Sequence, residues 1–256
     1  MILQQAIFTS AHTSRSDGYH LVARSRGIDP STARALAAWG PSHDALRPGE
    51  SCGVSFFCLP SGDHCLARTT REELEHSGRG DRLHTQMLVI SPAEFAKVEQ
   101  HPIVIDELAR GWEQYHTAIP ESEFADEIEL PWPNTRLELN LLEQAAAGGV
   151  SVIPAICEAL SESQVVGLIH VAEPLPLLAG LFFWLPREVR PEISFTTGLK
   201  ASPRRPFRLI CLDDKPAELR QHTRHGIKLL DVADTANHTP TPPDGWRAVL
   251  ALTAGG

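Results

Sequence analysis

The stretch between residues 61 and 84 contains the side-chain types that nucleophilic catalysis needs. A serine or cysteine nucleophile requires a nearby histidine as base, and that base requires a carboxylate to orient it. The candidates are Ser61 or Cys65 as nucleophile, His64 or His84 as base, and Asp63 or Asp81 as the orienting acid. With Ser61, His64, Asp81 and His84 as its residues, a hydrolase is the enzymatic alternative for this chain. It depends on a fold that brings them within hydrogen-bond reach.

A second chemistry, phosphoester cleavage by two H-x-[ST] motifs, needs two histidines and two hydroxyl groups on one surface. At His84-Thr85 the hydroxyl residue comes one place early. Adjacent side chains of a strand point to opposite faces, so Thr85 would not lie beside His84. The other candidate, His170-Val171-Ala172, carries no hydroxyl. The sequence therefore disfavours this reaction.

Metal and cofactor motifs give no support for further chemistry. The five cysteines form no CxxC pair, although three of them and two histidines lie close in sequence: Cys52, Cys58, His64, Cys65 and His84. In a strand, Cys52 and Cys58 would share one face with Val54 and Phe56, which predicts core packing. The chain has no P-loop, no GxGxxG after a strand and no HExxH. We therefore predict no metal and no cofactor.

Charge and composition limit the classes of partner that the chain can bind. The net charge of −9 disfavours nucleic-acid binding and attachment to an anionic membrane, because both need a basic surface. The apolar stretch 165–185 holds His170, Glu173 and two prolines, which predicts a buried strand and a buried helix rather than a membrane span. Unpaired cysteines and an N-terminus without signal-peptide features predict a cytoplasmic protein.

The elements that would position the candidate residues are short strands in the first half of the chain. Apolar alternation and turn signals predict strands at 4–10, 19–25, 51–59, 63–70 and 83–90. A short helix is expected to begin at Asp29-Pro30 and to end before Gly40-Pro41. Two further helices are expected at 93–101 and 104–115. Close turns between strands predict an antiparallel sheet.

The second half mixes helices and strands. Helices are predicted at 137–147, 152–160 and 174–186, and strands at 164–172, 192–197 and 207–213. A proline-rich acidic segment at 118–135 is the best boundary between domains. The predicted fold is therefore α+β: a β-rich N-terminal domain at 1–130 and a mixed α/β domain at 131–256.

The turn around Arg79-Gly80-Asp81 is the predicted binding region. Its glycines favour a tight turn, and its charged residues are expected to be solvated or paired across the hairpin. The predicted binding residues are Arg79, Asp81, Arg82 and His84. If this turn lies beside the turn at 61–64, the two form one polar rim for a partner or a small ligand.

Four groups of segments carry a family resemblance: QQAIFTS with GYHLVARSRGI, SFFCLPSGDHCLAR, GRGDRLHTQMLVIS, and the LP-x3-R-x3-SFTT pattern at 185–197. Together they resemble the N-terminal and middle domains of the bacterial family of GTPase-associated protein one. Members look like accessory components encoded beside GTPase-like proteins in bacterial conflict or signalling systems. The resemblance implies a non-enzymatic adaptor or regulatory module without a cofactor, whose partner is a protein: a GTPase or a component encoded with it.

Overall fold

The computed structural model describes residues 1–12, 17–74, 81–116, 118, 120, 122–133 and 152–237. Two compact units divide the chain. Unit 1 consists of Met1–Trp132 with Gly198–Pro206, and unit 2 of Pro133–Thr197 with Phe207–Gly256. The separate folding of domains 1–130 and 131–256 stays a prediction.

Unit 1 contains an antiparallel sheet. Its strands are β1 (Ile2–His12), β2 (Asp17–Arg24), β3 (Cys52–Cys58), β4 (His64–Leu74), β5 (Asp81–Ile90) and β6 (Ile128–Glu129). They lie in the order β3-β4-β5-β1-β2, and β6 pairs with the start of β1. Strand β2 is therefore the last strand on its side of this order.

Local turn chemistry explains the predicted β3–β4 hairpin. The Leu59 amide donates to the Asp63 carbonyl at 2.8 Å, which closes the turn. Gly62 has φ +88°, a conformation that glycine adopts without the steric cost of a Cβ. The alternating sequences on either side then pair from Cys58 with His64 to Cys52 with Thr70. This register places Cys52, Val54 and Phe56 on one face, as predicted, although Cys58 is exposed.

Helices cover both faces of this sheet. They are α1 (Pro30–Trp39), α2 (Pro92–Ala96) and α3 (Pro102–Gly111). The Asp29 side chain caps α1 by accepting from the amides of Ser31 and Thr32. From α1, Trp39 meets Phe57 with ring centroids 5.2 Å apart, and Phe95 of α2 meets Phe56 at 5.3 Å. Because successive strand residues point to opposite faces, α1 and α2 pack on opposite sides.

Unit 2 is a parallel sheet with helices. Its strands are β7 (Val166–Ile169), β8 (Phe195–Thr196), β9 (Leu209–Cys211) and β10 (Lys228–Asp231). They lie in the order β10-β7-β9-β8, with every pair parallel. The helices are α4 (Ile153–Glu162), α5 (Pro174–Trp184), α6 (Pro216–Arg224) and α7 (Val232–Asn237), with a 3₁₀ turn at Arg190–Glu192.

The α+β prediction is confirmed, with an antiparallel first half and a mixed second half. The strand-then-helix prediction for 165–185 is also confirmed by β7 and α5. The helix expected to continue to residue 115 ends at Gly111, and the helix expected at 137–147 lies outside the described residues. In the part of the chain that the structure describes, no helix is long and apolar enough to span a membrane.

Candidate functional site

The turn between β3 and β4 holds two of the candidate catalytic residues, but in separate environments. The Ser61 hydroxyl donates to Asp63 Oδ2 at 3.0 Å on the exposed turn. His64 is buried, stacked on Phe56 with ring centroids 5.6 Å apart and tilted against Phe95 at 4.7 Å. Burial lowers the pKa of His64, which favours a neutral ring. This histidine is part of an aromatic core cluster.

The alternative nucleophile, Cys65, is fully buried. Burial raises the pKa of its thiol well above the usual value, so the thiolate that would attack a substrate does not form near neutral pH. Cys65 is therefore a core residue.

The charged residues at the start of β5 form ion pairs with β4. Asp81 Oδ2 accepts from Arg71 Nη1 at 2.8 Å, and the Arg82 guanidinium donates to Glu72 Oε2 from both Nε and Nη2. Both pairs link the neighbouring strands and stabilise their register. Arg79, the remaining charged residue of the predicted binding set, lies outside the described residues.

His84 is buried inside unit 1 rather than displayed on its surface. Only 1% of the residue is exposed, and its Nε2 has no hydrogen-bond partner among the described residues. Burial lowers the pKa of His84, and the neighbouring Glu72 carboxylate offsets part of that effect. His84 therefore cannot contact a partner directly in this conformation.

The strand register separates the two halves of the predicted catalytic set. On β4, His64 pairs with Ile90, whereas Thr70 pairs with His84. Thr70 lies six positions after His64 on the strand, which corresponds to about 20 Å. The structure thus does not bring Ser61 and His64 together with Asp81 and His84. The turn at 61–64 precedes β4, whereas Asp81 pairs with Leu74 at the other end of that strand. Residues 75–80 lie outside the described part of the chain, so the single polar rim stays a prediction.

A buried ion pair joins the sheet of unit 1 to α3. Asp106 is fully buried, and its Oδ1 lies 3.4 Å from Arg68 Nη1 and accepts from the Tyr115 hydroxyl at 3.1 Å. Its Oδ2 lies 3.2 Å from Arg110 Nε. Burial raises the pKa of Asp106 in spite of the two arginines. These contacts of the buried Asp106 carboxylate stabilise the packing of α3 against the sheet.

The outer edge of β2 offers a different kind of site. Beside it lies a groove of about 500 Å³, here called the β2 groove, lined by Leu21, Val22, Ala23, Arg24, Pro30, Ala33, Arg34, Glu123 and Phe124. Most of these side chains are apolar or present the apolar stems of arginines. Within the described part of the chain, β1 is the only strand paired along β2, and one isolated bridge joins Arg24 to Phe124.

That bridge shows how the edge binds an extended backbone. The Arg24 amide donates to the Glu123 carbonyl at 3.0 Å, and the Ala125 amide donates to the Arg24 carbonyl at 3.0 Å. The two segments run parallel. Phe124, which is 41% exposed, lies under the Arg26 guanidinium at 4.2 Å from ring centroid to Cζ. One end of the β2 edge is thus paired, and an apolar groove flanks it.

Unit 2 contains a titratable cluster that the sequence analysis did not identify. His170 follows β7, Asp214 follows β9 and Asp231 ends β10, so all three lie at the carboxyl ends of adjacent parallel strands. His170 Nδ1 lies 2.9 Å from Asp231 Oδ2, and Nε2 lies 2.9 Å from Asp214 Oδ2. This end of a parallel sheet is where α/β proteins commonly bind ligands.

Electrostatics within this cluster favour the charged forms. Hydrogen bonds to Asp214 and Asp231 raise the pKa of His170. Amide donation from Asp234 and the contact with His170 lower the pKa of Asp231. No group of three or more His, Cys, Asp or Glu side chains arranged to hold a metal ion occurs among the described residues.

Comparison with known proteins agrees with the resemblance seen in the sequence. Residues 2–127 match the family model for GTPase-associated protein 1, N-terminal domain type 2. The matched range includes β1 to β5, α1 to α3 and every residue lining the β2 groove. A search of curated proteins found no match.

Proposed function

We propose that this protein is a non-enzymatic adaptor that binds a GTPase, because residues 2–127 match the family model for GTPase-associated protein 1, N-terminal domain type 2. The docking surface is the outer edge of β2 together with the β2 groove. The setting is the bacterial cytoplasm, in a signalling or conflict system. The adaptor brings the GTPase to other components and needs no reaction of its own.

The observation that carries this proposal is the position of β2 in the matched domain. It is the last strand of the order β3-β4-β5-β1-β2, and its outer side is paired in the described residues at Arg24 alone. Proteins usually protect such an edge, because its backbone donors and acceptors can pair with another chain. An eight-residue edge strand beside an apolar groove has the features of a site for strand addition.

Strand addition explains both affinity and selectivity. An extended segment of the GTPase would pair its backbone with β2, as the segment 123–125 already does at Arg24. Alternate side chains of that segment would enter the β2 groove against Leu21, Ala33 and Phe124. Backbone hydrogen bonds supply affinity that does not depend on sequence, and the groove selects the side chains.

The arginines around the β2 groove set a second requirement for the partner segment, which concerns its charge. Arg24 and Arg34 line the groove and Arg26 lies above Phe124, although the chain as a whole carries a net charge of −9. A guanidinium has five N–H donors, and the backbone bonds of Arg24 to Ile28 and of Arg34 to Pro30 use only part of that capacity. We therefore expect the inserted GTPase segment to carry acidic side chains beside its apolar ones.

The experiment is affinity capture with the purified full chain from native lysate, followed by mass spectrometry and by binding measurements with the purified GTPase. Ala33→Glu adds bulk and negative charge inside the groove. It is expected to weaken binding at least about tenfold, a loss of about 1.4 kcal/mol. Ala38→Glu is the matched control, because Ala38 is exposed on the same helix and does not line the groove.

The outcomes test the adaptor function and the β2 docking surface separately. If no GTPase is retained by the unmodified chain above the level of an unrelated control protein, the adaptor proposal fails. If a GTPase binds the unmodified chain and Ala33→Glu with equal affinity, the function stands and the assignment of the β2 groove fails.

A further inference from the structure

We infer that His170 is a proton-dependent clamp in unit 2: its imidazolium form holds the carboxyl ends of β9 and β10 to β7, and loss of a proton releases the β9–α6 connection. This device is independent of the proposed GTPase binding. It rests on the hydrogen-bond geometry of one ring between two carboxylates that lie 44 and 61 residues away in sequence.

The geometry defines the protonation state. Both ring nitrogens lie 2.9 Å from a carboxylate oxygen, a normal hydrogen-bond distance. Ionised carboxylates only accept, so each bond requires a proton on the nitrogen. A neutral imidazole carries one such proton, and it can satisfy one carboxylate only. The observed arrangement is therefore that of the imidazolium, with a carboxylate on each side.

The two carboxylates are held unequally, which determines where the clamp opens. Asp231 Oδ1 also accepts from the amides of Ala233 and Asp234, at 3.0 and 3.2 Å, and its side chain is 26% exposed. Asp214 lies on the connection between β9 and α6, and its side chain is 52% exposed. A neutral His170 therefore keeps its proton on Nδ1 for Asp231. The Nε2 lone pair then faces the Asp214 carboxylate, and the two repel each other.

Other charged groups lie on the elements that surround the His170 cluster. On the β9–α6 connection, the Lys215 ammonium lies 3.2 Å from Asp213 and 3.3 Å from Glu218 of α6. Among the described residues, Asp234 on α7 and Glu173, which precedes α5, are further carboxylates on the neighbouring elements. The groups that raise the pKa of His170 are Asp214 and Asp231, and both favour the imidazolium.

The backbone at His170 fits a restrained position. Its φ is +57°, in the left-handed region that non-glycine residues rarely adopt. Such a conformation persists where surrounding contacts hold it. The two carboxylates supply contacts of that kind on both sides of the ring, and breaking one of them lets the residue and its neighbours relax.

The pH window follows from the direction of the shift. The carboxylates raise the pKa of His170 above its ordinary value of 6.5, so the clamp is complete below that pH. It is lost as the pH rises through the raised pKa of the folded protein. The lowered pKa of Asp231 keeps that carboxylate charged throughout this range.

The test combines two measurements on the full chain. Long-range ¹H–¹⁵N spectra of histidine-labelled protein, assigned with His170→Gln, should show both nitrogens of His170 protonated at pH 6.5, with a titration midpoint above 6.5. Hydrogen exchange of residues 212–219, corrected for the intrinsic pH effect, should rise at least about threefold across that midpoint.

Two variants distinguish the clamp from a merely structural histidine. Asp214→Asn should remove the pH-dependent step in exchange, because a carboxamide can donate to a neutral Nε2 as well as accept from a protonated one. His225→Gln, which changes an exposed histidine at the end of α6, should leave the step unchanged. A neutral His170 at pH 6.5, or an exchange step that persists in Asp214→Asn, would overturn the proposal.

Discussion

His84 in unit 1 and His170 in unit 2 are the same residue type under opposite conditions. His84 is 1% exposed and burial lowers its pKa, whereas the side chain of His170 is 42% exposed and its two carboxylate partners raise its pKa. The environment of His84 favours the neutral ring, and that of His170 favours the charged ring. Sheet architecture explains the difference, because an antiparallel sheet covered on both faces buries polar residues in mid-strand.

The same contrast applies to where each unit can interact. In unit 1 the strands run antiparallel and the helices cover both faces, so in the described part of the chain the side of β2 facing away from β1 has backbone groups available for pairing. In unit 2 the strands run parallel, so their carboxyl ends bring together residues distant in sequence. An edge suits backbone recognition by a partner, and strand ends suit side-chain chemistry.

The largest effect should come from breaking the buried charge of unit 1. Asp106→Ala leaves Arg68 and Tyr115 without their shared carboxylate and should lower the free energy of unfolding by about 3 kcal/mol. Asp214→Ala removes an exposed carboxylate from unit 2 and should cost much less. Urea unfolding of both variants at pH 7 measures the difference, and equal losses would contradict the contrast between buried and exposed charge.

The next largest loss of stability is expected from replacing glycines that lie close to other atoms. A Cβ on Gly198 in unit 1 would lie 2.7 Å from Gly53 Cα and 2.8 Å from the Cys52 carbonyl oxygen, both of them backbone atoms. Gly198→Ala should therefore cost about 2–3 kcal/mol. On Gly167 in unit 2, the nearest atom is the end of the Leu212 side chain, which can rotate away, so Gly167→Ala should cost about 1 kcal/mol.

Thermal or urea unfolding checks this ranking. Gly111→Ala is the control, because an added Cβ there meets nothing within 4 Å, and its effect should stay within about 0.5 kcal/mol. If Gly167→Ala proves more damaging than Gly198→Ala, the backbone contact in unit 1 is less rigid than its geometry indicates.

The smallest effect is the acid sensitivity of unit 1. His64 and His84 have pKa values lowered by burial, so the unfolded chain binds more protons near their ordinary pKa of 6.5. Their contribution to stability is complete above that pH and is lost as the pH falls below it. His84→Gln should make the free energy of unfolding fall less steeply as the pH drops below 6.5. Hydrogen exchange of amides in β4 and β5 measures that fall. A fall of unchanged steepness would mean that His84 does not titrate on unfolding.

Local patterns in the sequence were sufficient to predict most of unit 1. Alternation and glycine turns identify β1 to β5, because each hairpin is encoded within a few residues. The burial of His84 was not predictable from β5 alone, since it depends on the helices α2 and α3 packing over that face of the sheet.

Unit 2 was harder to predict, for physical reasons. Strands β8 and β9 have two and three residues and are shorter than the strands predicted at 192–197 and 207–213. Strand β10 was not predicted, because its four residues are too few for a clear period. Helix α6 is polar and buries none of its residues, so it lacks an apolar face. The cluster of His170, Asp214 and Asp231 forms only because three parallel strands end together. Likewise, the position of β2 at the edge is set by strand order, which local sequence does not specify.

Hydrogen exchange of the purified protein with and without its GTPase tests the central claim most directly. If the partner adds a strand to the open edge, the amides of residues 17–24 should become several-fold more protected in the complex. Peptides from β4 at the sheet interior should change little, and Ala33→Glu should abolish the protection at β2. Protection confined to other elements, with β2 unchanged in a fully formed complex, would contradict the assignment of the β2 edge as the docking surface.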